Sequence, residues 1–507
     1  MMRLHTRGLR QILALLLFVV YLPSCVGYKV QSGTPAAVLA GRNIRLVRVT
    51  LVDGHKVWLQ QPTISNDSLI GKLYGSRHAE LRAIPTDSVK AIAVPHTNVA
   101  ATFALVGVAA LATLTIVAAS MDPIIGAGAS SCPQVYSWNG HGWRLDSGTF
   151  GGAIAPAFAR TDVDNLTYAV PEGERLRLRL ANALDETDYV DGLSVLAVDH
   201  GPGVTVAPSA DGTIHTLGTL LPPTEAFDDR GRDVLQQILT TDDWSWESAL
   251  YQRDTSLVSE IRDDIDLTFP RPTGARTARL VIEGHNSAWA GSMMQDFVAA
   301  HGRSTQAWYD SLAENPLLAR QTGANLAREG FLDVQLRKSG MWVHQDYAWE
   351  AGPEISKKQV ISLDLTGVTE DSIQVRLESA PMFWLIDQVA IDYSQESPIQ
   401  VHELTASRAV SDQGEDVSGL LNARDHSYYV MERGDGAELS FTVPPVPAGL
   451  TRSYLLRSTG WYRIHTAETD PADLATLAQV SDDRHGASRL EVARFNRALA
   501  TLSQEKP

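Results

Sequence analysis

The hydrophobic positions of this chain follow three patterns. Two uninterrupted apolar runs lie near the N-terminus, at residues 12–21 and 99–119. Between them, and again from residue 131 onward, apolar and polar residues alternate in short segments bounded by turn residues, which is typical of β-strands with one buried face. Apolar residues at helical spacing occur in parts of residues 233–328 and over 472–500. The pattern predicts a mainly β protein with inserted helices (α+β).

The first apolar run has the flanks of a secretory signal peptide, with a basic segment before it and small residues after it. It ends in Leu-Pro-Ser-Cys at residues 22–25, which resembles a bacterial lipobox. The resemblance implies lipidation of Cys25, cleavage before it, and anchoring in the bacterial cell envelope. We therefore expect a signal peptide at residues 1–25 and a tether at 26–40. An uncleaved signal anchor and cleavage elsewhere are the alternatives.

Residues 41–97 contain four or five short strand patterns, with Asp53-Gly54 as a hairpin signal between two of them. Strands of this number and length favour a small SH3-like or Sm-like barrel. The order V-T-L-x-D-G, D-S-L-x-G and I-P-x-D-x-V resembles the small barrels of many bacterial envelope lipoproteins. That resemblance implies a fold and a location in the cell envelope, but no activity.

The second apolar run, residues 99–119, is 21 residues long and has neither a charge nor a proline. A helix of this length matches the roughly 30 Å hydrocarbon core of a bilayer. Basic residues precede the run, whereas Asp122 follows it, which disfavours an orientation that carries the following domains into the cytoplasm. We expect a membrane helix at 98–120 with membrane lipid as its partner, and the sequence leaves open whether it crosses.

The remainder of the chain divides into β-rich modules. The motif C-P-x-V-Y-x-x-N-G at residues 132–140 opens the first, and it resembles a recurrent module of uncharacterised bacterial envelope proteins. Two or three β-sandwich-like modules are expected in total. The predicted boundaries are a β-rich module at 131–270, a β-sandwich with a helical insertion at 271–396, a β segment at 397–470, and a C-terminal helix and tail at 471–507.

Charge and cysteine content exclude several classes of protein. The formal net charge of −16 disfavours nucleic acid as a partner, because phosphate contacts need clustered Lys and Arg. The two cysteines are too few for a disulfide-stapled scaffold or a Cys-rich zinc site. Cys132, at the start of a predicted strand, is expected to be a small buried hydrophobic residue rather than a nucleophile.

Two groups of residues are candidate binding sites. Asp185, Glu186, Asp188 and Asp191 could supply carboxylate oxygens to Ca²⁺, although a solvated hairpin turn explains them as well. Trp342, Trp349 and Trp384 could stack on sugar rings, and packing within a sandwich core is the alternative. We predict no other cofactor or metal site.

The sequence contains no phosphate-binding Gly loop, G-x-S-x-G, H-E-x-x-H or C-x-x-C motif, and no catalytic residue is predicted. The leading hypothesis is a non-enzymatic, membrane-tethered envelope lipoprotein with an interaction or assembly role, whose partners are other envelope proteins or glycans. The first alternative is a carbohydrate-binding surface protein. The second is a hydrolase that acts on envelope glycans, since a pair of catalytic carboxylates leaves no sequence signature.

Overall fold

The computed structural model describes residues 26–31, 39, 46–52, 56–65, 67–73, 81–97, 132–242, 244–247 and 253–504. The chain forms two compact units, one up to residue 120 and one from residue 121 onward. The predicted signal peptide with Cys25 and the apolar run 99–119 lie outside the described residues. Within those residues, strands predominate over helices, which confirms the mainly β class. Of the helices described, none is both long and apolar enough to cross a membrane.

The N-terminal unit is one antiparallel sheet with the strand order β1-β6-β2-β3-β4-β5. Its strands are β1 (Val26–Gln31), β2 (Leu46–Leu51), β3 (Lys56–Ser65), β4 (Ser68–Leu73), β5 (Leu81–Pro85) and β6 (Val89–Thr97). Alternation along these strands buries one face, where Val47, Val49 and Leu59 form the centre of a small core. The sequence predicts residues 26–31 as the start of a tether, but they form strand β1, paired with β6.

The strands of the C-terminal unit follow one another in three groups. The first comprises β7 (Gln134–Trp138), β8 (Trp143–Gly148), β9 (Arg160–Asn165), β10 (Arg175–Ala181), β11 (Glu186–His200), β12 (Thr205–Pro208) and β13 (Ile214–Leu217). The second comprises β14 (Glu225–Asp228), β15 (Trp246–Glu247), β16 (Asp263–Pro270), β17 (Thr277–Asn286), β18 (Leu332–Lys338), β19 (Met341–Ala348), β20 (Lys357–Asp364), β21 (Ser372–Ser379) and β22 (Trp384–Asp392). The third comprises β23 (Gln400–Thr405), β24 (Arg408–Ser411), β25 (Tyr429–Met431), β26 (Gly436–Thr442) and β27 (Thr451–Ile464).

The first sandwich combines strands from the first and third groups. One sheet has the order β24-β26-β10-β7-β8, and the other has β23-β11-β27-β9 with β25 beside β11. Leu178 of β10, Val195 of β11 and Leu456 of β27 meet in the core between the two sheets. The perfect alternation at 175–180 predicts a strand with one apolar face, and this is confirmed, since its leucines are buried and its arginines are not. Each buried leucine contributes about 2 kcal/mol to folding.

The second sandwich is built from the middle group alone. Its sheets have the orders β14-β16-β21-β18-β19 and β15-β22-β17-β20, and residues such as Leu267, Val375, Leu280 and Ile391 fill the core between them. Because all its strands lie between β13 and β23, this sandwich is inserted into the first. Strand pairing therefore runs across the predicted boundaries at 270 and 396. Strand β16 pairs with β21, and β10 pairs with β26.

The last strand differs from its predicted form. The Ser-Thr-Gly sequence at residues 458–460 predicts a turn between two hairpin strands, but β27 runs straight through it. A Cβ atom at Gly460 would collide with the carbonyl oxygen of Tyr189 and the ring of Phe150. The glycine therefore permits close approach of a neighbouring strand and does not mark a turn.

The helices of the C-terminal unit are α1 (Ala288–Ala299), α2 (Thr305–Glu314), α3 (Pro316–Gly330), α4 (Ser418–Asn422), α5 (Leu474–Asp482) and α6 (Gly486–Gln504). The predicted helices at 305–313 and 316–328 are confirmed as α2 and α3. The side chain of Asn315 accepts hydrogen bonds from the first backbone N–H groups of α3, and Pro316 occupies its first turn.

Two other helical expectations differ from the structure. The predicted helix over 472–500 is divided into α5 and α6 by residues 483–485, where the Asp483 carboxylate accepts the backbone N–H of His485 at 3.0 Å. Helical spacing at 233–239 and 244–258 corresponds, where the structure describes it, to a short 3₁₀ turn and to strand β15. Trp246 of β15 is buried by pairing with β22 and packing in the second core.

Candidate functional site

A row of charged side chains joins the two sandwiches. Arg160, Asp162 and Asp164 alternate along β9 and so lie on one face of that strand. Lys357, the first residue of β20 in the second sandwich, places its Nζ 3.0 Å from Asp164 Oδ1 and 3.6 Å from Asp162 Oδ2. These side chains are at least nine-tenths buried except for Arg160, whose side chain is 14% exposed. The contact is therefore a buried ion-pair network between the sandwiches.

The charged groups of this network shift one another's pKa values. Burial raises the pKa of the Asp162 carboxyl, but the Arg160 and Lys357 cations outweigh that effect and hold the pKa below its usual range. For Asp164, burial and the nearby Asp162 charge outweigh the attraction of Lys357, so its pKa lies above the usual range. Burial lowers the pKa of Lys357, but the two carboxylates outweigh it and leave the pKa raised. Lys357 is therefore fully charged at neutral pH.

A wide cleft of about 1070 Å³ opens beside this network. Its walls come from both sandwiches, from the loop after β9, from the start of β20 and from the start of β27. Two tyrosines line it, Tyr168, which is 45% exposed, and the half-buried Tyr454. The charged groups along it are Asp146, Asp164, Glu283, Glu354, Asp387, Lys357, Lys358 and Arg452. The cleft is thus rich in both hydrogen-bond donors and acceptors.

The wall of the cleft around Tyr168 is held rigidly. The buried carboxylate of Asp146 accepts the backbone N–H groups of Thr167 at 2.8 Å and Tyr168 at 3.0 Å. Burial raises the pKa of Asp146, although these hydrogen bonds oppose the shift. Because its carboxylate holds two consecutive amides, the tyrosine ring is presented from a fixed backbone.

The opposite wall carries polar groups of the second sandwich. His285 Nδ1 lies 2.9 Å from the hydroxyl of Ser356, and Lys358 Nζ lies 3.2 Å from a carboxylate oxygen of Glu283. On the side of the first sandwich, the amide nitrogen of Asn165 donates to the backbone carbonyl of Val206 at 3.0 Å. The buried Oδ1 of Asn165 has no hydrogen-bond partner among the described residues. Such a surface suits a ligand that offers many hydroxyl groups.

The carboxylates predicted for Ca²⁺ do not converge. Glu186 and Asp188 alternate on β11 and lie buried inside the first sandwich, whereas Asp185 is exposed and Asp191 accepts the backbone N–H of His426 at 2.7 Å. Burial raises the pKa of Glu186 to about 8, and burial followed by the Glu186 charge raises that of Asp188. The buried pair therefore retains a proton at pH 7. In the part of the chain that the structure describes, no group of three or more His, Cys, Asp or Glu could hold a metal ion.

The three candidate tryptophans lie in different surroundings. Trp384 is only 2% exposed and belongs to the core of the second sandwich. Trp342 is half-buried, with the guanidinium carbon of Arg376 4.5 Å from its ring centre. Trp349 is half-buried and stacks on Phe331, with ring centres 5.6 Å apart. Packing accounts for Trp384, and existing neighbours cover a face of each of the other two.

Cys132 is buried, as expected from the sequence. It is 2% exposed, and its backbone N–H donates to a carboxylate oxygen of Glu186 at 2.9 Å. Burial raises the pKa of the thiol well above its ordinary value, with the Glu186 charge adding to the effect. A protonated, inaccessible thiol has a structural role.

Sequence reasoning missed the cleft residues. The alternation Arg-Thr-Asp-Val-Asp at residues 160–164 is the one local signal, because a strand face bearing three charges must meet charges if it is covered. Its partner Lys357 lies 193 positions beyond Asp164 in the chain, where nothing in the sequence marks it.

Comparison with known proteins adds little. No protein-family model matches the chain, and no curated protein matches it. Among solved structures, the chain is similar to a beta-porphyranase of glycoside hydrolase family 86 from the human gut bacterium Bacteroides plebeius, with 8% identity and a TM-score of 0.17. The match covers 46% of this chain and 37% of that enzyme. A TM-score this low does not establish a shared fold.

Proposed function

We propose that this chain is a non-enzymatic, membrane-tethered envelope protein whose inter-sandwich cleft binds an extended, polyhydroxylated ligand of the carbohydrate class. The observation that carries the proposal is the cleft of about 1070 Å³, lined by two tyrosines and many polar groups. This volume is at the upper end for small-molecule sites, which favours a ligand of several linked units over a single metabolite.

The chemistry of the cleft supports a sugar ligand. Sugars offer hydroxyl groups that both donate and accept, and the cleft presents carboxylates, ammonium groups and an imidazole to meet them. The exposed ring of Tyr168 supplies an apolar face beside these groups. Five carboxylates against three cations line the cleft, which favours neutral over strongly anionic glycans.

Binding without hydrolysis fits the carboxylates with raised pKa. Asp146 is engaged by two backbone amides, and Asp164 by Ser147 Oγ at 2.6 Å and Lys357 Nζ at 3.0 Å. A general acid must instead be placed to release its proton to the ligand. Hydrolysis of an envelope glycan is the second candidate, favoured by the presence of a raised-pKa carboxyl in the wall of the cleft.

The test is binding of neutral oligosaccharides, first on a glycan array and then by titration calorimetry with each positive glycan. We expect Tyr168→Ala to weaken binding by about tenfold, since a stacked aromatic contributes roughly 1–1.5 kcal/mol. Phe227→Ala is the matched control, because Phe227 is similarly exposed and lies outside the cleft. Absence of any binding glycan, or equal effects of the two substitutions, would contradict the proposal. Release of shorter sugars during incubation would establish the hydrolase alternative.

The location of the protein in the cell envelope is part of the same proposal. We infer lipidation of Cys25, a membrane helix at 98–120, and closure of the N-terminal sheet into an SH3- or Sm-like barrel. Labelling of cells with palmitate tests the first, with Cys25→Ser as the control. Unchanged labelling and membrane fractionation of the Cys25→Ser variant would refute lipidation.

A further inference from the structure

A second cavity lies within the helices of the C-terminal unit. Its volume is about 180 Å³, and it is formed where α5 and α6 close over α1 and α3. Met293 and Phe297 of α1, Leu326 of α3 and Val480 of α5 give it an apolar lining. A dry cavity of about 150 Å³ is large enough to hold benzene, so this one has room for a short acyl chain. It shares no lining residue with the cleft between the sandwiches.

The outer wall of this cavity is thin. Helix α5 has no buried residue, and Leu477, Val480 and Ser481 are at the i, i+3 and i+4 positions that form one helix face. That face lines the cavity, and none of these three residues belongs to a hydrophobic core in the described part of the chain. The segment before α5 is nonetheless attached, because the backbone N–H of Asp473 donates to the carbonyl of Ala300 at 2.8 Å. The wall is thus positioned over empty space that a ligand can fill.

Two arginines give the cavity a cationic edge. Arg328 lies in the last turn of α3 and donates to the backbone carbonyl of Arg484 at 2.9 Å, which places the two residues side by side. No carboxylate pairs with either guanidinium in the described part of the chain. The acidic residue of the lining, Glu329, is occupied by Arg262 at 3.3 Å and by the hydroxyl of Ser488. Within the described residues, the guanidinium groups of Arg328 and Arg484 are therefore not held by a direct ion pair.

A neutral imidazole completes the lining. His301 Nδ1 lies 3.1 Å from the backbone carbonyl of Phe297, and its ring stacks on Trp308 with centres 4.2 Å apart. Burial lowers the pKa of His301, so the ring is uncharged at neutral pH. His301 therefore adds no charge to the interior, and the carboxylate of Glu329 there is already paired with Arg262.

We propose that this cavity binds a free, single-chain carboxylate of about six to eight carbons, with its chain among the apolar residues and its head group at Arg328 and Arg484. The volume excludes a two-chain phospholipid. The paired arginines match a carboxylate, which guanidinium groups bind in a bidentate manner. This site is independent of the proposed carbohydrate cleft, and either proposal can fail without the other.

The proposal is tested by titration calorimetry of the full chain with butanoate, hexanoate and octanoate as probes. We expect one site, with Kd falling about fourfold for each added methylene group. Octanol should bind at least tenfold more weakly than octanoate, because it lacks the charge. No saturable binding of octanoate, or equal binding of octanol, would overturn the proposal.

Paired variants locate the site. Arg484→Glu should weaken octanoate binding at least tenfold, whereas Arg320→Glu, an exposed change on α3 outside the cavity, should leave it unchanged. Val480→Trp should fill the cavity and abolish binding, whereas Ala478→Trp on the exposed side of α5 should not. Equal effects within either pair would overturn the assignment, provided circular dichroism shows both variants folded. Binding to phosphatidylglycerol vesicles that depends on Arg484 without octanoate binding would also overturn it.

Discussion

Removal of the ammonium group that joins the sandwiches has a calculable effect. Lys357→Met keeps the length of the side chain but deletes its charge beside Asp162 and Asp164. With an effective dielectric constant of about 20, ion pairs at these distances are worth about 5 kcal/mol each, or about 10 kcal/mol together. The variant also avoids the cost of removing an ammonium group from water, and this saving offsets several kcal/mol of the lost ion-pair energy. We expect a net loss of about 3–5 kcal/mol in the free energy of unfolding at pH 7.5.

The loss should depend on pH in a defined direction. Burial already places the pKa of Asp164 above its usual range, and removal of Lys357 raises it further. A carboxyl whose pKa is higher in the folded state than in the unfolded state lowers the free energy of unfolding as the pH rises from the unfolded-state pKa to the folded-state pKa. The variant should therefore be least stable relative to the parent at pH 7.5, and the difference should shrink toward pH 4.5 as the carboxyls of the variant become protonated.

Urea denaturation followed by circular dichroism measures this difference at both pH values. Lys358→Met is the matched control, because the neighbouring Lys358 pairs with Glu283 but keeps 35% of its side chain exposed. An exposed pair of this kind contributes less than about 1 kcal/mol. A loss below about 1 kcal/mol for Lys357→Met, or an equal loss at pH 4.5 and 7.5, would refute the reasoning.

Three further changes test the buried groups. Gly330→Ala should destabilise the protein by at least 1–3 kcal/mol in chemical denaturation, because a Cβ there would overlap the Glu350 carboxylate. Asp188→Asn should stabilise the protein increasingly as the pH rises from 4 to 8, since burial raises the pKa of Asp188 and the parent must keep it protonated to fold. In a Cys25→Ser chain, the thiol of Cys132 should react with Ellman's reagent at least a hundredfold more slowly when folded than in urea, since it is buried.

Each of these has a control within the chain. Gly142→Ala should be close to neutral, because a Cβ there meets no atom of the described residues within 4 Å. An equal loss for Gly142→Ala would contradict the steric explanation for Gly330. Asp185→Asn, at an exposed carboxyl, should show no comparable pH-dependent gain in stability. Rapid labelling of Cys132 in the folded protein would contradict its burial.

Local patterns predicted the individual elements well. The Asn139-Gly140 pair predicts a hairpin, which is present with Trp138 opposite Trp143, and the helix predicted to have Pro316 in its first turn is α3. These predictions succeeded because turn chemistry, proline at a helix start and alternation act over a few residues. The same alternation identified which leucines of β10 are buried.

The assembly of those elements could not be predicted. Alternation shows that a strand has a buried face, but not which strand it pairs with, so the pairing of β10 with β26 had no local signal. The candidate cleft could not be predicted for the same reason, because its walls come from segments more than 250 residues apart, such as those of Tyr168 and Tyr454. The acidic run at 185–191 suggested a loop, whereas most of it is strand β11, in which alternate carboxylates point into the sandwich.

The insertion of one sandwich into the other has a consequence for biosynthesis. Strand β11 ends at His200, but its neighbour β27 is complete only at Ile464, 264 residues later. At about 5–20 residues per second, a ribosome needs roughly 13–50 seconds to make that interval. The inserted sandwich has all its strands by Asp392 and can fold during this time. The earlier strands of the first sandwich meanwhile expose apolar faces and unpaired edges. We therefore expect the need for a chaperone to be greatest during this interval of synthesis.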